Sequence, residues 1–285
     1  MRAVKTLFLL TALTMLLVLG GGAISGQQGM IFGFIIALAM NGGAYFFSDK
    51  IALSSSGAQP VTREELPRLY QVMERLVAKA QLPMPKLYVI PQPAPNAFAT
   101  GRNPSHASVA VTQGLMDLMN DDELEGVIAH ELSHVRNYDI LTTSIAATLA
   151  GAITVIASMG RWAMIFGGMG GSRDDDRRGG FLPALLMILV APIAAALIQL
   201  GISRQREFSA DASGVQMVGH AQGLISALEK LGAYNARIPM NVPPTTASLF
   251  IVAPLSAGQV LSGMFSTHPP LAKRIAVLRN MTITR

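Results

Sequence analysis

The sequence contains no cysteine, which removes disulfides, thiolate metal ligands and a cysteine nucleophile, and leaves the redox compartment undecided. Any metal must therefore be bound through nitrogen and oxygen. Charge is also scarce: Asp, Glu, Lys and Arg make up 14% of the 285 residues, against 51% hydrophobic residues and a mean hydropathy of +0.42. That balance is too apolar for an ordinary water-soluble protein of this size and directs attention to membrane spans. The formal charge of +5 and pI of about 9.7 form a modest basic excess. Such an excess suits segments facing anionic lipid, and nucleic acid is not expected as a partner.

The scarcity of charge is concentrated. Between Lys5 and Asp49 lie 43 residues with no formal charge. A spanning helix needs about 20 residues, so residues 1–48 are expected to hold a hairpin of two helices, near 6–19 and 30–48. Gly20 to Gly29 reads as the turn. Arg2 and Lys5 precede the first helix and Lys50, Arg63, Arg68 and Arg75 follow the second, which places both flanks in the cytoplasm. A cleaved signal peptide is the alternative reading of the first apolar run, opposed by the second run that follows so closely. Residues 140–160 and 179–203 are again free of charge and read as a second apolar hairpin within 141–202, bent at Pro183 and Pro192. Between its arms, within 161–180, runs a Gly/Asp/Arg loop with Asp174, Asp175 and Asp176. Its arginines weaken an external placement, so whether this hairpin crosses fully is left open.

The polar stretches 49–140 and 203–285 are expected to combine as two halves of one domain split by the second hairpin. The first half reads as a helix from Arg63 to Ala80, a strand from Lys86 to Ile90, a proline-rich bend at Pro91 to Pro95 and a strand from His106 to Thr112. Helices dominate the rest, so the fold is expected to be mainly α with a small β-sheet.

Residues 130–134 read His-Glu-Leu-Ser-His in a segment with strong helix signals: Asn120 as cap, Asp121, Asp122 and Glu123 in the first turn, then Leu124, Val127 and Ile128. On a helix, residues four apart share a face, so His130 and His134 can present imidazole nitrogens to one cation. Glu131 lies about 100° round the helix from His130, badly placed as a ligand but well placed to reach a water beside the metal. Downstream, Glu207 and Asp211 are also four apart. Glu207 is expected as the third ligand, and Asp211 as an acceptor for a ligand imidazole. Two histidines and a carboxylate with an open position suit one Zn2+ per chain, which acidifies water and polarises a peptide carbonyl while Glu131 takes the proton. The competing reading is a membrane scaffold in which zinc only braces the fold, but such sites use four protein ligands and three are identifiable here. His106 and His220 have no partner at ligand spacing.

These residues resemble the HtpX-type membrane zinc endopeptidases, bacterial quality-control proteases related to the eukaryotic prenyl-protein endopeptidase. The resemblance rests on the apolar hairpin, Asn96 to Gly101, His130 to His134 followed by Asp139, the second hairpin, Ser203 to Asp211, and Ser266 to Pro270 with Arg274. It implies a gluzincin-like fold in a polytopic protein of the bacterial inner membrane, with the active site facing the cytoplasm. It also implies endoproteolysis of misfolded or damaged membrane proteins as part of a stress response. It places Asp139 behind the motif, Asn96 beside the cleft, and the strand carrying Ser108, Val109, Ala110 and Val111 against substrate backbone by strand addition. His268 and Arg274 become donors to the oxyanion, the alternative being a helix start with Pro269 and Pro270 in its first turn and Arg274 on the surface. Prenyl-peptide processing remains open as a substrate class, as do natural substrates and oligomeric state.

Overall fold

The computed structural model describes residues 2–149, 204–235, 237, 249–252 and 269–281. Helix α1 (Arg2–Ser55) is a helical hairpin, broken only at Ser25 and Gly26, where Gly26 takes φ 57° and ψ −140°. A residue without Cβ enters that positive-φ region at no steric cost. The turn is therefore two residues long, shorter than the expected 20–29, and both helices run through the glycine-rich segment. Contact between the arms explains this: a Cβ on Gly21 would stand 2.1 Å from the Gly29 carbonyl oxygen, and one on Gly33 2.2 Å from that of Leu17. Further along, Asn41 Nδ2 donates to Thr14 Oγ1 at 2.9 Å and to the Leu10 carbonyl at 3.2 Å.

Ser25–Ser55 is the one helix among the described residues long and apolar enough to cross a membrane, and Thr6–Gly22 is a shorter apolar helix. Its side chains point outward: Phe32 is 65% exposed, and Ile31, Phe34, Leu38, Phe46 and Phe47 are exposed too. A third apolar helix, α5 (Asp139–Leu149), packs against the hairpin through Ile145, Ala146 and Leu149, and Thr142 Oγ1 meets Thr6 Oγ1 at 3.0 Å. The remainder of the second hairpin, with its 161–180 loop, lies outside the described residues.

The first polar half begins with β1 (Gln59–Pro60), followed by α2 (Pro67–Ala80). Helix α2 starts four residues later than expected, because Thr62 N–H bonds Glu65 Oε2 in a preceding turn and Pro67, which lacks an amide hydrogen, opens the helix. Strands β2 (Lys86–Ile90), β3 (Ala97–Gly101) and β4 (Ala107–Thr112) join β1 in one sheet of order β1-β2-β4-β3. Strand β4 pairs parallel with β2 and antiparallel with β3. This corrects the expected substrate strand: Ser108, Val109, Ala110 and Val111 are paired on both sides and have no edge to offer. Among the described residues the edge strands are β1 and β3, and Ala99 of β3 lines the site.

After the short α3 (Gln113–Leu118) comes α4 (Asp121–Arg136). It opens with a full capping box, the Asn120 side chain accepting from Glu123 N–H and the Glu123 carboxylate from Asn120 N–H. Among the described residues, α6 (Arg204–Val218), α7 (Gln222–Asn235) and α8 (Leu271–Arg279) follow and pack into the same body. One core draws Leu69, Val109, Ile128 and Leu132 from before the second hairpin and Val215, Leu228 and Leu278 from after it. Helices α4 and α7 are also tied by the buried Glu123 carboxylate, which accepts from Ser226 Oγ at 2.6 Å and Lys230 Nζ at 2.7 Å.

Candidate active site

Two helices build the site. Helix α4 presents His130 and Glu131 at its buried centre and His134 one turn on, where the imidazole reaches the edge of the body. Helix α6 crosses it closely enough that a Cβ on Gly214 would lie 3.1 Å from the His130 backbone nitrogen, and it brings Glu207 and Asp211 to the same place. His130 Nε2 and His134 Nε2 lie 3.2 Å apart. Glu207 Oε2 is 3.7 Å from the former and Glu207 Oε1 3.6 Å from the latter. Ligand atoms on a tetrahedral zinc with bonds of about 2.0–2.1 Å are spaced by about 3.3–3.4 Å, so the triangle fits that ion.

The tautomers point the same way. His130 Nδ1 donates to Asp211 Oδ1 at 2.9 Å, and His134 Nδ1 faces Asp139 Oδ2 at 3.4 Å. With protons held on both Nδ1 atoms, both Nε2 atoms present lone pairs to each other, an arrangement a cation between them satisfies. Asp211 is itself clamped, accepting from Arg274 Nε at 2.9 Å and Nη2 at 2.7 Å. Arg274 is fully buried and sends Nη1 to the Ile251 carbonyl at 3.0 Å, while standing 3.8 Å from Glu207 Oε2. Its hydrogen bonds thus go to the Asp211 carboxylate and the Ile251 carbonyl, with Nη2 also 3.3 Å from His130 Nδ1. Here Arg274 fixes Asp211, which fixes the His130 ring.

Electrostatics follow from this burial. Burial pushes the Glu131 carboxyl up to about 7, with Glu207's charge adding to it and His134 and the Ala99 backbone amide opposing it. Burial and the Arg274 charge hold His130 down at about 4. His134 moves upward: burial works against its charged form, but the hydrogen bond to Asp139 and the charges of Glu207 and Glu131 outweigh it. Asp211 stays below the usual carboxylate range despite burial, because Arg274's charge and the His130 hydrogen bond favour the anion.

The cavity over these groups is about 30 Å³, room for an ion or a water, and is lined by Ala99, Ile140, Thr143 and Leu249 to Ile251 besides the titratable groups. Asn96 is buried beside it, where its side chain bonds the backbone of Val252, donating at 2.8 Å and accepting at 3.4 Å. Ile251 N–H donates to the Ala97 carbonyl on the edge of β3 at 2.9 Å. No sequence pattern marked this Leu249 to Val252 wall, whose backbone bonds Asn96 and Ala97 while the Phe250 ring packs edge-on against Phe98. His268 lies outside the described residues. His106 and His220 are exposed and away from the site, and His106 Nδ1 pairs with Asn103 Oδ1.

Residues 63–282 match the family described as Peptidase family M48. The chain belongs to peptidase family M48. Within it, the chain is 56% identical over 275 residues to a "Protease HtpX homolog" of Desulfatibacillum aliphaticivorans, covering 96% of this chain and 88% of that one. A protein of the same description from Pelotomaculum thermopropionicum is 50% identical over 283 residues, covering 99% and 100%. One from Aquifex aeolicus is 47% identical over 259 residues, covering 90% and 85%. In fold, this M48 chain resembles the crystal structure of S. mikatae Ste24p with a TM-score of 0.53 at 22% identity. The likeness covers 97% of this chain and spans 65% of that one, and at this identity it speaks for the fold alone. Membership of M48 makes the protein a metallopeptidase.

Proposed function

We propose that this M48 peptidase is a zinc endopeptidase of the bacterial inner membrane that cuts misfolded or damaged membrane proteins from the cytoplasmic side. The observation that carries the reading is the ligand triangle of His130, His134 and Glu207, with Glu131 next to the first histidine on α4. When bound, zinc supplies a Lewis acid that brings the pKa of water near 7 and polarises a carbonyl oxygen. Glu131 takes the proton of the attacking water and delivers it to the departing amine. Asp211 and Asp139 keep the imidazoles in the tautomer that leaves Nε2 free, and Arg274 keeps Asp211 ionised. Substrate backbone adds along the outward edge of β3, in place of the interior β4. The cavity beside that edge is too small for a peptide, so the Leu249 to Val252 wall gives way as substrate enters. His268 is assigned to the oxyanion on the strength of the family resemblance.

The test compares bound metal and casein cleavage for the detergent-purified chain, Glu131→Gln and Glu207→Ala. One zinc with cleavage in the parent, zinc without cleavage in Glu131→Gln, and weakened zinc binding in Glu207→Ala are expected. Equal turnover in Glu131→Gln would overturn the mechanism. Equal zinc binding with no cleavage by either chain would favour the scaffold, whose zinc has no open position.

A further inference from the structure

Strand β3 does more than face the site; it runs back toward the membrane. The charge-free run of α1 ends at Asp49 and Lys50, just after the exposed Phe46 and Phe47, and the turn that follows places Ala52 and Leu53 in a cluster with Phe98 of β3. Four residues after Phe98, Arg102 stands over the ring of Phe46, 5.9 Å from its centre. The strand thus descends by about 13 Å at its usual rise, beside about 10 Å of helix between Leu53 and Phe46. Strand and helix are antiparallel, and the tip of the β3–β4 hairpin is level with the end of the span.

At that level the surface is of one kind. Phe46, Phe47 and Ile51 are exposed, Lys50 lies over the Phe47 ring at 5.5 Å, and neither Lys50 nor Arg102 pairs with a carboxylate among the described residues, Asp49 included. Exposed phenyl rings at the end of an apolar run, with long cationic side chains beside them, suit a membrane–water boundary, where the ring sits among acyl chains and the cation rises to the phosphates. Continuity with the apolar span chooses the occupant, since an acidic protein surface would have to bury these rings against a face that already continues into the bilayer.

We infer that Lys50 and Arg102, with Phe46 and Phe47, form a binding surface for an anionic phospholipid headgroup that holds the foot of the active-site strand β3 at the membrane surface. Ala99, which lines the metal cavity, is three residues from Arg102, so the site stands about 10 Å above the headgroups. A chain emerging from the same bilayer spans that distance in about three extended residues.

Native mass spectrometry of the full chain in detergent, titrated with phosphatidylglycerol or phosphatidylcholine, tests the surface directly and does not depend on peptidase activity. A basic residue at an anionic surface is worth roughly five-fold in affinity, so the double variant Lys50→Gln/Arg102→Gln should bind phosphatidylglycerol about 25-fold more weakly. Its phosphatidylcholine binding should be unchanged. Arg102→Lys, which keeps the charge, should retain the binding that Arg102→Gln loses. Unaltered phosphatidylglycerol affinity in the double variant overturns the inference, as does inorganic phosphate competing as well as the lipid does. Casein cleavage by the double variant reports that it has folded.

Discussion

The α1 hairpin and the α4–α6 crossing both invert the usual arrangement of a protein in water, in opposite ways. The hairpin turns apolar side chains outward and keeps polar groups such as Asn41, Thr14 and Thr6 between helices. The crossing does the reverse, burying Glu131, Glu207, Asp211 and Arg274 under an apolar shell. Each inversion has its own remedy. An outward phenylalanine is tolerable when the surroundings are lipid, whereas a buried charge is tolerable only when opposite charges and hydrogen bonds meet it. The hairpin therefore depends on its solvent, and the crossing on its partners.

If that distinction holds, removing one partner from the crossing has the largest effect. Arg274→Met leaves the Asp211 carboxylate buried without its guanidinium, which should cost about 3–5 kcal/mol of stability. It should also weaken zinc binding roughly 10- to 100-fold, as loss of a group orienting a ligand does. Thermal unfolding and a competitive zinc titration measure the two, and an unchanged zinc affinity would separate Arg274 from the metal site.

A smaller break lies at the far end of α4. Lys230, Ser226 and the Asn120 amide hold the Glu123 pKa below its ordinary 4.5 against the opposing effect of burial. A depressed carboxylate pKa stabilises the folded state above the unfolded value, and the contribution fades as pH falls through the folded one. Glu123→Gln should therefore lower stability by about 1.5–3 kcal/mol at neutral pH. The difference from the parent should shrink as the pH drops below 4.5, and a gap that stays constant into acid would show that shape, not charge, does the holding.

The smallest effect belongs to the hairpin. Phe32→Ala in detergent should change the melting behaviour of the folded chain by less than about 0.5 kcal/mol, because the side chain is exposed. A loss comparable to that of Arg274→Met would mean that Phe32 packs against protein, and would break the contrast between the two regions.

Much of α4 could be read from the chain because its signals are local. The Asn120 cap lies three residues from Glu123, and His130 lies four from His134, spacings that helical geometry alone turns into contacts. Strand β2 was legible to the residue, from Lys86 to Ile90. Strand β3 was not, since Ala97 to Gly101 is buried at every position and shows no alternation. Strand addition expected at β4 needs a free edge that β4 lacks, for a related reason: strand composition says nothing of which neighbours pair with it. The ten-residue turn expected at 20–29 contracted to Ser25 and Gly26, because its glycines serve contact between helices there more than bending.

By itself, the sequence determined the apolar run from 6 to 48, the helix that carries His130, Glu131 and His134, and the chemistry those residue types allow. All of these depend on composition or on spacings of a few residues. Tertiary structure alone decided that Arg274 holds Asp211 across 63 positions of chain, that β3 and not β4 is an edge strand of the sheet, and that Arg102 meets Phe46 at the end of the span. Contacts between distant residues are chosen by the packing of whole helices and strands, which no local spacing encodes.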